Sequence, residues 1–404
     1  MHAPVPQTHS RLTLPLLILV SMMGPLALNI LMASMPGMVK TLGTTREMVQ
    51  LTMSLFLLAQ AVSQLFIGSL ADRFGRRPVL IISTMLYVCA SVAASLANSI
   101  EMLVLLRILQ AFGATAGLTL SRTIVRDLYP RDKAASMLGY VIMGMVIAPM
   151  LGPAIGAMLD EMFGWRSIFI ACAMLGATAL TLTILILRET RPIAIAGTTV
   201  GEIAMRAREL LRDRRFIGYL GSTTGASAMF YAFLGGAPFL VIDVLHLSKA
   251  EYGTWYVLMS FGYMVGNFFS ARFSNRLGID RMIWLGNASA IFFASLMLVP
   301  TALGIIHPAV LFLPGMLINV SNGLTMPNAI AGGVSINPAA AGAASGVVGF
   351  LQMGVGALVS YVTNLVTHDS ALPMAVIIVS LGILTHLMAE WGRRAIPGAS
   401  TLLR

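Results

Sequence analysis

Long apolar stretches separated by short polar breaks run along the whole sequence, and they restrict the fold more than any single motif. An α-helix needs about 20 predominantly apolar residues to cross a hydrocarbon core about 30 Å thick, and each stretch reaches that length. None shows the period-two alternation of barrel strands. Charged residues make up only 10% of the chain, whereas soluble domains have about 25%. We therefore predict an all-α membrane protein with twelve transmembrane helices, near residues 12–38, 48–71, 78–97, 102–126, 134–159, 166–187, 216–242, 252–272, 282–304, 309–332, 341–366 and 370–391.

The basic residues indicate how these helices are oriented. Of the 26 Lys and Arg residues, 21 lie near the termini or in breaks on the same side as the termini. The other five are Lys40, Arg46, Arg107, Arg166 and Lys249. Because cytoplasmic loops carry the excess of Lys and Arg, this bias predicts that both termini are cytoplasmic. The net charge of +10 therefore favours a multi-pass membrane protein over a nucleic-acid-binding one.

The sequence offers little for catalysis or metal binding. Cys89 and Cys172 lie inside apolar stretches, so they provide neither a disulfide framework nor metal-ligand spacing. The predicted spans hold no metal-spaced His/Asp cluster and no Ser/His constellation. We predict that the protein is not an enzyme and uses neither a metal nor another cofactor. An intramembrane enzyme remains a weaker alternative.

A polar stretch near the middle and a faint repeat divide the chain. Residues 188–215 predict a cytoplasmic linker between a bundle at 1–187 and a second bundle at 216–404, which ends in a short tail. A shift of 203 residues lays "LADRFG" (Leu70 to Gly75) over "FSNRLG" (Phe273 to Gly278). We predict two pseudo-symmetric six-helix bundles. Such halves suit alternating access, because a site between them can open to either side.

Four motifs together resemble the major facilitator superfamily, in particular the twelve-span drug exporters related to the bicyclomycin and chloramphenicol resistance proteins. They are "GPLALNILMASMP" (Gly24 to Pro36), "GSLADRFGRRP" (Gly68 to Pro78), "RILQAFGATAG" (Arg107 to Gly117) and "GMVIAPMLGPAIG" (Gly144 to Gly156). Ala111 stands where the family usually has Gly. The resemblance implies a monomeric multidrug exporter of the bacterial inner membrane that moves small amphipathic, drug-like compounds outward, with protons as the coupling ion.

The loop motif concentrates charge at a cytoplasmic turn. Gly75 permits a tight reversal, and the arginines prefer the cytoplasmic surface. The resemblance implies that Asp72 contacts the start of the eleventh span, near Gly342 to Gly346, and that the loop acts as a conformational latch between the bundles. The alternative is a turn that only sets orientation. The predicted latch residues are Asp72, Arg73, Gly75, Arg76, Arg77 and Asp127.

The fifth span is rich in small residues and proline. Glycines allow helices to approach closely, and a proline removes one backbone hydrogen bond of the helix. The resemblance connects this motif with export, and we predict a pliable, tightly packed helix. Ordinary close packing is the alternative. The motif residues are Gly144, Pro149, Gly152, Pro153 and Gly156.

The resemblance places the first, fourth, seventh and tenth spans around the substrate cavity. Arg107 is a cation within a span, which needs a partner or water, so we predict a polar anchor facing the cavity, with snorkelling to the interface as the alternative. An apolar, Met-rich wall suits amphipathic compounds. The predicted cavity residues are Asn29, Met32, Arg107, Gln110, Phe230, Tyr231, Phe233, Asn319 and Asn322.

Asn29 departs from the family pattern, because related exporters have an Asp in the same motif. An amide carries no proton at physiological pH, and we predict that every carboxylate of the chain lies in a loop or near a span end. This leaves a facilitator or importer of a small metabolite, without proton antiport, as an alternative to the exporter. A transport-fold sensor that binds ligand without moving it is a further one.

Overall fold

The computed structural model describes residues 12–129, 131–190, 205, 207–305, 307–337 and 340–394. Within these ranges the chain is helical and contains no β-strand, which confirms the predicted all-α class. The helices are α1 (Thr13–Asn29), α2 (Met35–Leu42), α3 (Arg46–Phe74), α4 (Arg76–Ser95), α5 (Ile100–Leu128), α6 (Arg131–Phe163), α7 (Arg166–Ile186), α8 (Arg214–Phe239), α9 (Lys249–Leu277), α10 (Ile279–Ala302), α11 (Pro308–Ile336), α12 (Ala341–Val366) and α13 (Leu372–Arg393).

Eleven helical stretches in the described part of the chain are long and apolar enough to cross a membrane. The first, Thr13–Leu42, joins α1 and α2 through a 3₁₀ turn, and the seventh, Arg214–Val244, joins α8 to a π-helical turn at Leu240–Val244. Helix α9 has 29 residues but is less apolar. It packs between α6 and α11. With α9 included, the number of spanning helices matches the twelve predicted.

Polar side chains at the breaks start several helices. Thr45 and Ser99 accept hydrogen bonds from backbone amides in the first turns of α3 and α5. Ser248 and Glu251 form a reciprocal capping box at the start of α9. These contacts satisfy amide groups that have no partner inside the helix. The breaks in the hydrophobic pattern are therefore helix ends.

The helices form two groups, in agreement with the predicted fold of two bundles. One comprises α1 to α7, and the other comprises α8 to α13. Between them, α3 lies against α12 and α6 lies against α9. The predicted repeat is also present in the backbone: Gly75 has a φ of +100° between α3 and α4, and Gly278 has a φ of +81° between α9 and α10. Glycine tolerates this conformation at both turns.

Most of the predicted linker, residues 191–204 and 206, lies outside the described residues, as do the two chain ends. At its end, Asp213 caps α8 by accepting a hydrogen bond from the Arg215 amide. Leu210 is 3% exposed and packs in a cluster with Phe216 and Ala344. The last residues of the linker are therefore part of the second bundle's packing.

The two ends of the molecule differ in charge. The end at which α1 begins and α13 ends carries Arg73, Arg76, Arg77 and Arg393, and we call it the basic end. The opposite end, at which α3, α5 and α9 begin, is called the far end.

Candidate functional site

Two ion pairs join the bundles at the far end. Lys249 Nζ, at the start of α9, lies 2.5 Å from Asp160 Oδ2 on α6. Arg46 Nη2, at the start of α3, lies 3.2 Å from Asp243 Oδ2 in the π-helical turn after α8. Arg46 and Lys249 are themselves 203 residues apart, the repeat distance. Each bundle therefore extends a cation from the same position to a carboxylate of the other bundle.

Further from the far end than the ion pairs, buried side chains also form contacts between the two bundles. Tyr256 on α9 donates a hydrogen bond of 2.9 Å to Asn29 Oδ1, and the Asn29 amide donates to the Pro25 carbonyl. Tyr252, one turn earlier on α9, has its hydroxyl 4.0 Å from Met32 Sδ. Asn29 and Met32 thus lie in a closed contact between the bundles rather than on an open cavity wall.

The tyrosines of this contact were not among the predicted site residues. The cavity prediction was confined to the first, fourth, seventh and tenth spans, whereas Tyr252 and Tyr256 are on the eighth. The available signal was their spacing of four residues in "YGTWY", which places both on one face of a helix.

A second buried contact joins α3 to α12. Gln50 Nε2 donates to Ser360 Oγ at 2.7 Å, and both residues are fully buried. Nearer the middle of the same helices, Gln64 lies against Gly349. The bundles therefore touch from the far end to about the middle of α3.

The glycines of the fifth span pack α6 tightly onto α1. A Cβ on Gly156 would collide with the Ile30 carbonyl, one on Gly144 would collide with Ile18, and one on Gly152 would be 3.2 Å from Asn29 Cβ. Helix α6 continues through Pro149 and Pro153 without a break. The motif therefore shapes the surface against which Asn29 is held, as close packing predicts.

Helix α9 approaches the same part of α6 from the other bundle. A Cβ on Gly253 would be 2.8 Å from the Ala154 Cα and 3.3 Å from the Pro153 carbonyl. Glycine is needed there because the two backbones are nearly in contact.

A charge cluster occupies the basic end of the first bundle. Arg76 lies 3.1 Å from Asp72 and 3.2 Å from Asp127, and its side chain is almost fully buried. Glu189 accepts hydrogen bonds from the amides of Arg76 and Arg77 at the start of α4. A Cβ on Gly75 would be 3.0 Å from the Glu189 carboxyl carbon.

The remaining members of the predicted latch lie around this cluster. Arg77 donates to the Ile184 carbonyl at 3.0 Å, and the Arg73 guanidinium lies over the Phe74 ring. Glu189 was not predicted, because it was assigned to the linker. The only signal for it is its position immediately after a long apolar run.

The basic end of the junction has open space beside three glycines, whereas the far end is closed by contacts. A Cβ added to Gly68 on α3, or to Gly342 or Gly346 on α12, would meet no atom within 4 Å. The Asp72 carboxylate is 32% exposed and pairs within its own bundle. The structure therefore does not bring Asp72 against the start of α12, where the resemblance places its partner.

Arg107 and Gln110 are inside the first bundle, not on the cavity wall as predicted. Arg107 is 1% exposed, donates to the carbonyls of Ala27 and Thr52, and lies 4.1 Å from the centre of the Phe56 ring. Gln110 accepts from Arg107 at 2.6 Å. A buried guanidinium needs several acceptors, and only the interior of the bundle supplies them. Snorkelling to the interface does not occur.

The predicted cavity residues of the second half also face inward. Phe230, Phe233 and Asn319 line a small cavity within the second bundle, among α8, α9, α10, α11 and α13. Phe233 also packs edge-on against Phe312. The two phenylalanine rings fill apolar space between the helices, which explains why they lie inside the bundle. The remaining two, Tyr231, whose hydroxyl lies 3.3 Å from Met353 Sδ, and Asn322, are buried as well.

Every carboxylate in the described ranges lies near a helix end or in a connecting segment. No group of three or more His, Cys, Asp or Glu residues among the described ones is placed to hold a metal ion. The junction therefore relies on ion pairs at one end and amide and hydroxyl groups within the membrane.

This architecture defines the class: a multi-pass membrane protein with two related helical bundles around a closable junction. The family model described as "Major Facilitator Superfamily" matches residues 17–360. The chain belongs to the major facilitator superfamily, a family of transporters.

The chain is similar to named relatives over most of its length. It is 29% identical to "Multidrug resistance protein D" of Escherichia coli over 355 residues, which cover 88% of this chain and 89% of the relative. It is 25% identical to the "Bicyclomycin resistance protein homolog" of Haemophilus influenzae over 362 residues, again 88% and 89%.

Solved structures with the same fold have lower identity. The D-xylose-proton symporter has a TM-score of 0.74 at 13% identity, covering 96% of this chain and 98% of that one. An inward-facing, unoccupied bacterial homologue of the lysosomal transporter Spinster has a TM-score of 0.70 at 15% identity, covering 97% of both. They establish the fold.

Proposed function

We propose that this protein is a secondary active multidrug exporter that moves small amphipathic compounds out of the cytoplasm by alternating access. The observation that carries the proposal is the unequal junction, closed by ion pairs and buried hydrogen bonds at the far end and parted at the basic end. A transporter needs such a state to load substrate from one side only. The names of the relatives, drug and bicyclomycin resistance proteins, support drugs as the cargo.

The charge distribution supports the orientation that export requires. The basic end carries the arginine-rich turns and both ends of the helical chain, so we place it in the cytoplasm and the protein in the bacterial inner membrane. The conformation described above then faces the cytoplasm. Substrate would enter there and leave after the far end opens.

The bundles at 1–187 and 216–404 act as the two moving units in this proposal, with residues 188–215 as the cytoplasmic connection. A single chain supplies both sides of the junction, which supports a monomer as the working unit.

The charge cluster at the basic end serves as the latch of the opposite state. Closure of the basic end would bring the partly exposed Asp72 towards the start of α12, where open space now lies beside Gly342 and Gly346. The amides at a helix start carry partial positive charge and favour a carboxylate. Arg76 holds Asp72 in place through their ion pair.

Drug susceptibility in a host that lacks its own pumps tests both proposals. We expect the wild-type chain to raise the inhibitory concentration of several amphipathic drugs, and Asp72→Asn to lose most of that resistance at equal membrane abundance. The matched control is Asp369→Asn, which alters an exposed carboxylate at the far end. No resistance from a correctly inserted wild-type chain contradicts export, whereas full resistance in Asp72→Asn contradicts the latch.

Proton coupling is part of the proposal, and Asn29 is the observation that favours a facilitator instead. Asp160 and Asp243 are candidate proton carriers, because each loses its cation when the far end opens. Transport into proteoliposomes with and without an imposed pH gradient separates the two. Stimulation by the gradient supports antiport, and indifference to it supports the facilitator. Asn29→Asp then tests whether a carboxylate in that motif introduces a response to the gradient.

A further inference from the structure

Arg122 stands apart from the other arginines of the basic half, because its guanidinium reaches into the junction. It is six residues from the end of α5, yet its Nη2 lies 3.7 Å from Met145 Sδ on α6. It also lies within electrostatic reach of Tyr263 on α9. Tyr263 is the middle residue of that helix. The side chain therefore brings a positive charge to about the middle of α6, the helix that lies against the other bundle.

The second bundle completes the surroundings of this cation. The hydroxyls of Tyr263 and Ser227 both lie 4.0 Å from Met326 Sδ. Arg122 is exposed, and Tyr263, Met145 and Met326 are partly so. The group thus lines the parted side of the junction, with polar donors from both bundles beside flexible, apolar methionine side chains.

Among the described residues, no side chain neutralises the charge of Arg122 through an ion pair. No carboxylate of the described residues lies within ion-pair distance of it, and Asp127, one turn further along α5, pairs with Arg76 instead. A cation inside a membrane protein without an acidic partner is a marker of a substrate or ion pathway. The described wall offers no fixed acid to attract a cationic compound.

We propose that Arg122 binds the anionic head group of an amphipathic substrate, with Tyr263 as a second hydrogen-bond donor and the side chains of Met145 and Met326 against the apolar part. The substrate class is organic anions such as hydrophobic carboxylates. The proposal deepens the exporter function and rests on it for its physiological meaning. It was missed in the sequence because Arg122 was counted only among the residues that set orientation.

An anionic substrate also fits the position of Asn29. A membrane potential does work on any net charge that crosses the membrane. An inside-negative potential therefore drives an anion outward, and its export does not depend on a carboxylate at mid-depth that carries a proton.

Binding of matched fluorescent probes to the purified full-length protein tests the proposal. The probes are N-dansyl-leucine, a carboxylate, and its methyl ester, which has the same ring and side chain without the charge. A hydrogen bond to a charged group contributes more than one to a neutral group, so we expect the carboxylate to bind the wild-type protein about tenfold more tightly than the ester. Equal binding of the two probes overturns the proposal.

Three variants locate the effect. Arg122→Gln should raise the Kd of the carboxylate about tenfold and leave that of the ester within about twofold, whereas Arg122→Lys should keep part of the preference. Arg126→Gln, an exposed arginine one turn closer to the basic end of α5, is the matched control and should change neither. An unchanged carboxylate Kd in Arg122→Gln, or an equal loss in Arg126→Gln, contradicts the site.

A substitute variant and the separation of binding from transport make each outcome interpretable. If Arg122→Gln does not elute as a monodisperse protein, Tyr263→Phe replaces it and should raise the carboxylate Kd about threefold, with no change contradicting the site. Binding is measured without transport, so the site stands if carboxylate preference is present but the susceptibility panel shows no export. Export of neutral drugs together with unaltered carboxylate binding in Arg122→Gln leaves the exporter and removes the anion site.

Discussion

The two ends of the junction between the bundles are built from different chemistry. At the far end, opposite charges, a buried tyrosine–asparagine hydrogen bond and a close glycine contact hold α1 and α6 against α9. At the basic end, Asp72 and Asp127 find their cation, Arg76, within the same bundle. Contacts between the bundles stabilise the state in which that end is closed. Contacts within one bundle are kept when the bundle moves, so they do not favour either the open or the closed state. The difference explains why the molecule is closed at one end and parted at the other.

The largest change should come from filling the closest contact of the far end. Gly253→Val places a side chain where α9 nearly touches Ala154, and such overpacking costs about 1–3 kcal/mol. We expect the far end to open and the distance between spin labels at Glu101 and Asp369 to lengthen. Pulsed electron resonance on a variant whose only cysteines are those two label sites measures this distance.

The control for this substitution is Gly354→Ala on α12, where an added Cβ meets no atom within 4 Å. It should leave the distance distribution unchanged. An unchanged distribution in Gly253→Val would show that the backbones do not need to approach at this point.

A smaller change should follow from reversing the better-buried ion pair. Lys249→Glu places a second carboxylate beside Asp160, whose side chain is 7% exposed. Because Lys249 itself is 27% exposed, we expect the closed far end to be weakened by about 1 kcal/mol, the upper value for exposed pairs. The double variant Lys249→Glu with Asp160→Lys restores opposite charges and should recover the wild-type distances. Failure of the exchange to recover them indicates that packing, and not charge, closes this end.

The smallest change should come from the more exposed pair. Arg46 and Asp243 are 31% and 26% exposed, and such pairs contribute about 0.2–1 kcal/mol, less at high salt. We expect Arg46→Gln to shift the label distances less than Lys249→Glu does, with an effect that fades as salt is added. If Arg46→Gln shifts the distances as much as Lys249→Glu or more, burial does not determine how much each ion pair contributes.

The positions and ends of the helices were predictable because they depend on local hydrophobicity and on capping residues such as Thr45, Ser99 and Ser248. The turn at Gly75 and its counterpart at Gly278 were predictable for the same reason, since the backbone conformation itself favours glycine. The inward placement of Arg107 was not, because a polar residue in a span can face a cavity, a neighbouring helix or the interface with the same local sequence.

The sequence by itself determined the class of the molecule: twelve membrane-crossing helices, two related halves and a concentration of arginines at one end. These follow from the length of apolar runs and from residue types. Only the tertiary structure decided which side chains meet across the halves. Tyr256 reaches Asn29 from 227 residues away, and Arg122 lies within electrostatic reach of Tyr263 on the other bundle. The angle and separation of packed helices set such contacts, and no local pattern along the chain records them.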